Sequence, residues 1–264
     1  MRTISVSLGG GWLVDIIWNG SAFYAIASGS DKIVKSADAI NWTGATLPYN
    51  TDWASVAWSG SRFCAVAGNG ESATSTDGST WSAGGALSSS NWGSVASNGT
   101  NFCAVGMSSK IATSPTGATW TNQTAPGANY RQVIWNGSVY CAVGSNSNVL
   151  ATSATGTSWT SLTMPASGTW SLAAKGSLLC AVDAGAGMAG SKNAAISTNN
   201  GASWSMNTNL PSTAAWSSIC TDGTNFYAVA NGTDKAAISA DGVTWTAKTL
   251  PSSGNWNGIR SNSL

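Results

Sequence analysis

Short apolar runs alternate with polar clusters along almost the whole chain, at a spacing too tight for helices. Between residues 53 and 91 the runs are WASVAW, RFCAVAG, SATS and TWSAGGAL, each bounded by Ser, Asn or Gly. Runs of this length and punctuation predict strands. The first two runs of a group meet at Ser-Gly or Asn-Gly, as at Asn19-Gly20, Asn98-Gly99 and Asn136-Gly137, which suits a tight hairpin. The last two meet at a turn whose clearest copy is STDGSTW, residues 75–81.

The pattern repeats. Anchored on the tryptophan that ends the turn, the copies fall at Trp42, Trp81, Trp120, Trp159, Trp204 and Trp245, in steps of 39, 39, 39, 45 and 41 residues. A second anchor opens the units: Trp53, Trp92, Tyr130, Trp170, Trp216 and Trp256, with Trp12 or Leu13 heading the first. WASVAWSGSRFCAVAGNGESATSTDGSTW (53–81) matches WGSVASNGTNFCAVGMSSKIATSPTGATW (92–120) almost position by position. Four short antiparallel strands every ~40 residues are the signature of a β-propeller blade. The expectation is all-β: one domain over 1–264, a six-bladed propeller of four-stranded antiparallel blades, with seven blades, one incomplete, as the alternative. The units run approximately 12–52, 53–91, 92–129, 130–169, 170–215 and 216–255. Residues 3–8 and 256–262 are expected as closing strands.

The repeat assigns roles to its own residues. Cys64, Cys103, Cys141 and Cys180 share one second-strand position, where Tyr24 and Tyr227 stand in the other units. Equivalent positions of adjacent blades lie too far apart for a disulfide, so buried free thiols are expected, Cys220 included. The turn copies are SADAINW, STDGSTW, SPTGATW, SATGTSW, STNNGASW and SADGVTW. Asp38, Asp77, Asn199 and Asp241 stand at the brace position, where Thr116 and Thr155 complete the set. A short polar side chain there can bond turn N–H groups, which Asp, Asn and Thr all do. That tolerance fits a structural turn with the tryptophan as a wedge between sheets, and not an acid that must carry a proton.

These phrases, W-x-x-V-x-W-N-G-x-x-F-x-A-V followed by A-T-S-x-D-G-x-x-W, resemble the Asp-box (BNR-like) propellers over residues 3–262. That group includes sialidases and photosystem II assembly-factor-like proteins. The phrasing is especially similar to propellers of phage and prophage structural proteins. The resemblance implies the fold; one fold hosts many functions.

Composition then narrows the chemistry. Only 8% of residues are Asp, Glu, Lys or Arg, where about 25% is usual, and the net charge is +1. No basic run recruits nucleic acid, and no apolar run approaches the ~18 residues of a membrane span. There is no histidine, which excludes Ser/His/Asp and Cys/His chemistry. A sialidase-like site needs an arginine triad and a Tyr–Glu pair. The four arginines, Arg2, Arg62, Arg131 and Arg260, lie in no family motif, and Glu71 is the single glutamate. No enzyme activity, cofactor or metal is expected.

Two places are candidates for binding. The unit-opening aromatics Trp53, Trp92, Tyr130, Trp170, Trp216 and Trp256 would ring one face and could stack sugar rings, or fill the space between blades. The longest second-to-third-strand segment, AVDAGAGMAGSKNAAIS (181–197), is expected to protrude, with Asp183, Met188 and Lys192 on it. A neutral surface suits exposure outside cells, while free thiols and no signal-like segment suit folding in a reducing cytoplasm. A virion component satisfies both. The leading expectation is a phage structural protein of tail, fibre or head, made in the host cytoplasm. Its expected partners are other virion proteins and a host-surface glycan, and the virion sets its oligomeric state. The alternatives are a free bacterial lectin-like or assembly-factor propeller, and a sialidase-type glycosidase.

Overall fold

Strand breaks arise from one local device. Asn98 Oδ1 accepts the N–H groups of Thr100 and Asn101 at 3.0 and 2.7 Å, and Asn19 and Asn136 repeat the arrangement. Asp222 does the same with Thr224 and Asn225. The residue after the Asn or Asp must adopt positive φ, and glycine takes it, at +89° for Gly99 and +95° for Gly137. The chain therefore reverses sharply at each first hairpin.

The structure, a computed structural model, describes residues 11–127 and 129–262. The first sheet holds six strands: β1 (Trp12–Trp18), β2 (Phe23–Ser36), β3 (Thr43–Trp58), β4 (Phe63–Ala67), β5 (Ser72–Ser75) and β6 (Ser82–Ala83). Four four-stranded antiparallel sheets follow. These are β7 (Trp92–Ser97) to β10 (Thr121–Gln123), through β8 (Phe102–Gly106) and β9 (Lys110–Ser114). Next come β11 (Tyr130–Trp135), β12 (Tyr140–Gly144), β13 (Ser147–Ser153) and β14 (Thr160–Gly168). The fourth sheet comprises β15 (Trp170–Lys175), β16 (Leu178–Asp183), β17 (Ala194–Ser197) and β18 (Ser205–Asn207). The last comprises β19 (Ala215–Thr221), β20 (Phe226–Asn231), β21 (Thr233–Ser239) and β22 (Thr246–Gly254).

The expected six blades, or seven with one incomplete, are thereby corrected to a five-bladed propeller, counted by its hydrogen-bonded sheets. The physical reason lies in β3. Residues 43–52 pair with β2 and residues 53–58 pair with β4, with no break where the first sequence unit hands over to the second. Asp52 sits at the join, opposite Ser28 in the ladder and accepting Gly68 N–H at 2.8 Å. One extended segment thus fuses two sequence units into one sheet.

Every sheet buries its middle strands. β4, β8 and β12 are buried along their whole length. Trp53, Trp170, Trp216, Tyr130, Tyr140, Phe63, Phe102 and Phe226 are among the largest fully buried side chains. Burial of each such side chain contributes roughly 1.5–3 kcal/mol. The expected closing segment 3–8 lies outside the described residues. Residues 256–262 form no strand, yet they dock on β19: Ile259 N–H donates to Ser218 Oγ at 3.3 Å and Ser261 Oγ to Thr221 carbonyl at 2.7 Å.

Candidate functional site: the mouth of the central channel

The innermost strands carry a repeated irregularity. Register slips by one residue just after the unit-opening position, between Leu13 and Asp15, Trp53 and Ser55, Trp92 and Ser94, Tyr130 and Gln132, and Trp216 and Ser218. Such a bulge leaves one residue unpaired and re-aims its side chain. The unpaired residues are Val14, Ala54, Gly93, Arg131 and Ser217. All five line one cavity of about 1020 Å³, and Ser171 and Asn257 line it at the matching places of the other inner segments. A narrower opening of about 320 Å³ shares Ile17, Gln132, Ile134, Trp135 and Arg260 with it, so the two are ends of one channel.

A belt of hydrogen bonds holds these segments around the channel. Asp15 Oδ2 accepts Val56 N–H at 3.0 Å; Ser55 Oγ accepts Val95 N–H and Ser94 Oγ accepts Val133 N–H, both at 3.2 Å. Gln132 Oε1 accepts Leu172 N–H at 2.7 Å, and Ser171 Oγ donates to Ser217 carbonyl at 2.7 Å. Ser218 carries the belt to Ile259, and Arg260 Nη2 returns it to Asp15 Oδ1 at 3.0 Å. The pair Arg260–Asp15 is thus the clasp between the C-terminal segment and the first strand. Neither Asp15 nor Arg260 was expected from the sequence. A pair 245 residues apart leaves no local pattern.

The unit-opening aromatics are core, which corrects their use as a stacking surface. Trp53, Trp92, Tyr130, Trp170 and Trp216 are buried, and Trp256 is half-buried. Each spends its polar atom on nearby backbone: Trp53 Nε1 donates to Tyr49 carbonyl, Trp170 to Ala166, Trp216 to Ser212 and Trp256 to Thr233, at 2.8–3.2 Å. Trp92 Nε1 and Tyr130 Oη do the same to Ser89 and Pro126. Burial raises the Tyr130 phenol to about 12. The five buried rings have no face to offer a sugar. Leu13, rather than the exposed Trp12, joins the core at the head of the first unit.

The segment after β16 does not protrude as a whole. Asp183 is buried, and its Oδ1 accepts Thr169 and Gly185 N–H groups at 2.9 Å, so it braces the loop from inside. Met188, in the short 3₁₀ turn Ala186–Met188, and Lys192 are exposed.

At the Asp38, Asp77, Asn199 and Asp241 turns the brace side chain accepts N–H groups of its own turn. Asp77 Oδ1 accepts Ser79 and Thr80 N–H at 2.8 Å and Ser75 Oγ at 3.0 Å. Asp38 and Asp241 repeat the pattern, Asn199 does so across its longer copy, and Thr116 and Thr155 manage one longer bond each. These donated N–H groups hold the Asp77 carboxyl down at about 2 and lower those of Asp38 and Asp241. Trp81 and Trp245 are buried, while Trp42, Trp120, Trp159 and Trp204 are half-buried. The serine that starts each turn from Ser75 onward accepts the turn glycine's N–H.

Positive φ, +68° to +84° at these five positions, requires that glycine, and close neighbours reinforce it. A Cβ at Gly117 would fall 2.9 Å from Cys64 Sγ, and one at Gly242 would fall 3.0 Å from Cys180 Sγ. Cys103 and Cys141 face Gly156 and Gly201, and Tyr24 faces Gly78 at 2.2 Å. The second-strand position of one unit therefore packs on the turn of the next. All five thiols are free and buried, and burial raises their pKa, that of Cys220 to about 12.

Fold and site define the class: a β-propeller with an open central channel of mixed lining. A family model described as the DUF6242 beta propeller domain matches residues 171–260. The structure of YCF48 bound to D1 peptide superposes with a TM-score of 0.69 at 17% identity, covering 90% of this chain and 80% of that one. A streptogramin B lyase structure gives 0.82 at 9% identity over 97% and 89%, and U3-55K gives 0.75 at 8% over 99% and 88%. At such identities the likeness is one of fold. No curated protein matches the chain.

Proposed function

We propose that this chain is a non-enzymatic binding propeller whose wide channel mouth is its contact surface, and that it serves as a structural component of a phage virion. The observation that carries the binding role is the mouth itself. A cavity of about 1020 Å³ is lined by polar side chains such as Asn69, Asn91, Ser145 and Asn257, with the exposed carboxylate of Asp52 beside them. Rigid, concave sites with a few placed polar groups are where ligands settle.

The carboxylates support a non-catalytic reading because most are engaged by fixed donors. Asp15 is clasped by Arg260, Asp183 by two backbone N–H groups and the turn aspartates by theirs. Glu71 accepts from Asn69 Nδ2 at 3.0 Å and does not line the channel.

The virion setting rests on the sequence: a neutral Ser, Thr and Asn surface, free buried thiols and the phrasing shared with phage propellers. Tail, fibre and head decoration are the locations it suits, with other virion proteins and a host-surface glycan as partners. Immunogold labelling of purified particles tests it; a protein absent from every particle fraction overturns the virion role. Glycan or peptide binding by a protein that never co-purifies with particles would instead support the second reading, a free lectin-like or assembly-factor propeller.

A further inference from the structure

At the narrow end of the channel, equivalent places in the innermost strands hold Trp18, Trp58, Ser97, Trp135, Ala174 and Thr221. The three tryptophans lean on the aromatic ring behind them, Trp18 on Phe23, Trp58 on Phe63 and Trp135 on Tyr140, with centroids 4.7, 4.2 and 4.9 Å apart. That tilted packing fixes their planes. Between Trp135 and Trp18 stand only Ala174 and Thr221, too short to close the ring. The opening of about 320 Å³ lies there, walled by the two tryptophans over Ile17, Ile134, Leu172 and Ile219. This notch has spare donors and no spare charge. Nε1 of Trp18 and of Trp135 makes no hydrogen bond among the described residues and is not sealed from solvent, whereas the unit-opening tryptophans spend theirs on backbone. Arg260 gives Nη2 to Asp15 and Nη1 to Ile259 carbonyl. Gln132 gives both ends of its amide to Leu172, and Thr221 accepts Gly223 N–H on Oγ1 and Ser261 Oγ on its carbonyl. Among the described residues no carboxylate lines the notch, and the adjoining Asp222 is engaged by Thr224 and Asn225 N–H groups and the Tyr227 hydroxyl.

We propose that the narrow end docks a proline-rich segment of a partner protein, with a proline ring seated in the notch between Trp135 and Trp18 and the two indole N–H groups donating to its carbonyls. The match is one of donors to acceptors. A proline residue carries a carbonyl and no N–H, and a polyproline II segment makes no internal hydrogen bonds, so it offers acceptors alone. The notch offers indole donors, apolar walls and acceptors that are already engaged. Aromatic-lined grooves take proline-rich segments in this way, because the ring packs flat and the segment is already extended before it binds. A sugar fits less well, since each hydroxyl also donates and would find no acceptor in waiting. A charged ligand finds no counter-charge, Arg260 being paired with Asp15. This site lies at the opposite end of the channel from the wide mouth, and it stands or falls independently of the mouth and of the virion setting.

The test is isothermal titration of the full chain with decaproline, with a Gly-Ser peptide of equal length and with maltohexaose, a neutral oligosaccharide. Decaproline should saturate and bind about tenfold or more tightly than the Gly-Ser peptide, which must first give up its freedom. Thr221→Trp should abolish that binding with the melting temperature unchanged. It fills the notch with the ring that Trp18 and Trp58 already place there, and Phe226 stands behind it as Phe23 and Phe63 do behind them. Trp135→Phe keeps a ring but removes its N–H, and should weaken decaproline about fivefold, the scale of one hydrogen bond. If Thr221→Trp lowers the melting temperature, Trp135→Phe decides. Decaproline binding that both variants leave unchanged overturns the site. Maltohexaose binding as tightly as decaproline, or in its place, overturns the proline assignment. If decaproline does not bind, or binds no better than the Gly-Ser peptide, the proposal falls.

Discussion

Two rings of side chains run around this molecule, and they differ in what they tolerate. The outer ring consists of the third-to-fourth-strand turns, where Ser, Asp, Gly and Trp recur and each glycine packs on the cysteine or tyrosine of the preceding unit. The inner ring lines the channel, and its equivalent positions hold Val, Ala, Gly, Arg, Ser and Asn. A position whose neighbours are the same in every unit can accept few residues, because the same clash or lost bond recurs. A position facing open space is free to vary, and chemistry concentrates there. The outer ring is the signature of the fold, and the inner ring is where this propeller differs from itself.

The sharpest way to break the outer ring is to fill it. Gly78→Ala puts a Cβ 2.2 Å from the Tyr24 ring at a φ of +68°, and should cost about 3 kcal/mol or more in chemical denaturation. Adding Tyr24→Cys should return part of that loss, since cysteine accompanies the turn glycine in the units that follow. Trp216→Ala should cost a similar 3–5 kcal/mol, the range for deleting a fully buried aromatic. A loss of sugar binding with stability intact would restore that residue to the ligand surface. Next in size, Asp15→Ala removes the acceptor of Ser55 Oγ, Val56 N–H and Arg260, and about 2–3 kcal/mol is expected from thermal melting.

Smaller effects separate the rings by pH and by reagents. The Asp77 carboxyl is held at about 2 in the folded protein, below its ordinary value near 4. Its folded pKa is depressed, so its contribution is complete above the unfolded pKa and is lost as pH falls from about 4 through about 2. Asp77→Asn should flatten the melting curve's pH dependence in that window while keeping the turn. The five buried thiols should resist a thiol-specific reagent at neutral pH and react together on unfolding. The smallest expected change is Gly137→Ala. It meets nothing within 4 Å and carries only the cost of positive φ, about 1 kcal/mol.

Much of the outer ring was legible in the sequence. The Asn-Gly hairpins, the Ser–Asp brace, the wedge tryptophans and the unpaired cysteines act over a few residues or recur at a fixed period, so one chain displays them repeatedly. The inner ring was legible only in part. Arg131 could have been found by asking which residue after each unit-opening aromatic breaks the pattern, since the others there are neutral. The Asp15–Arg260 clasp had no such signal, because its two halves are at opposite ends of the chain. Asp183 misled for the opposite reason: a Gly/Ala-rich stretch suggests a free loop, and only the fold shows its carboxylate turned inward.

The period of turns and strands, written in residues a few positions apart, determined by itself that this chain is a propeller, where its hairpins fall and why its thiols stay unpaired. The tertiary structure decided what depends on distant partners or on an extended join. It settled the run of β3 from one unit into the next, the grouping into five sheets, and the burial of aromatics whose spacing suited either a core or a sugar platform. It also decided which residues face the channel, because a one-residue bulge turns a side chain from the ladder to the cavity and leaves no mark on hydrophobic periodicity.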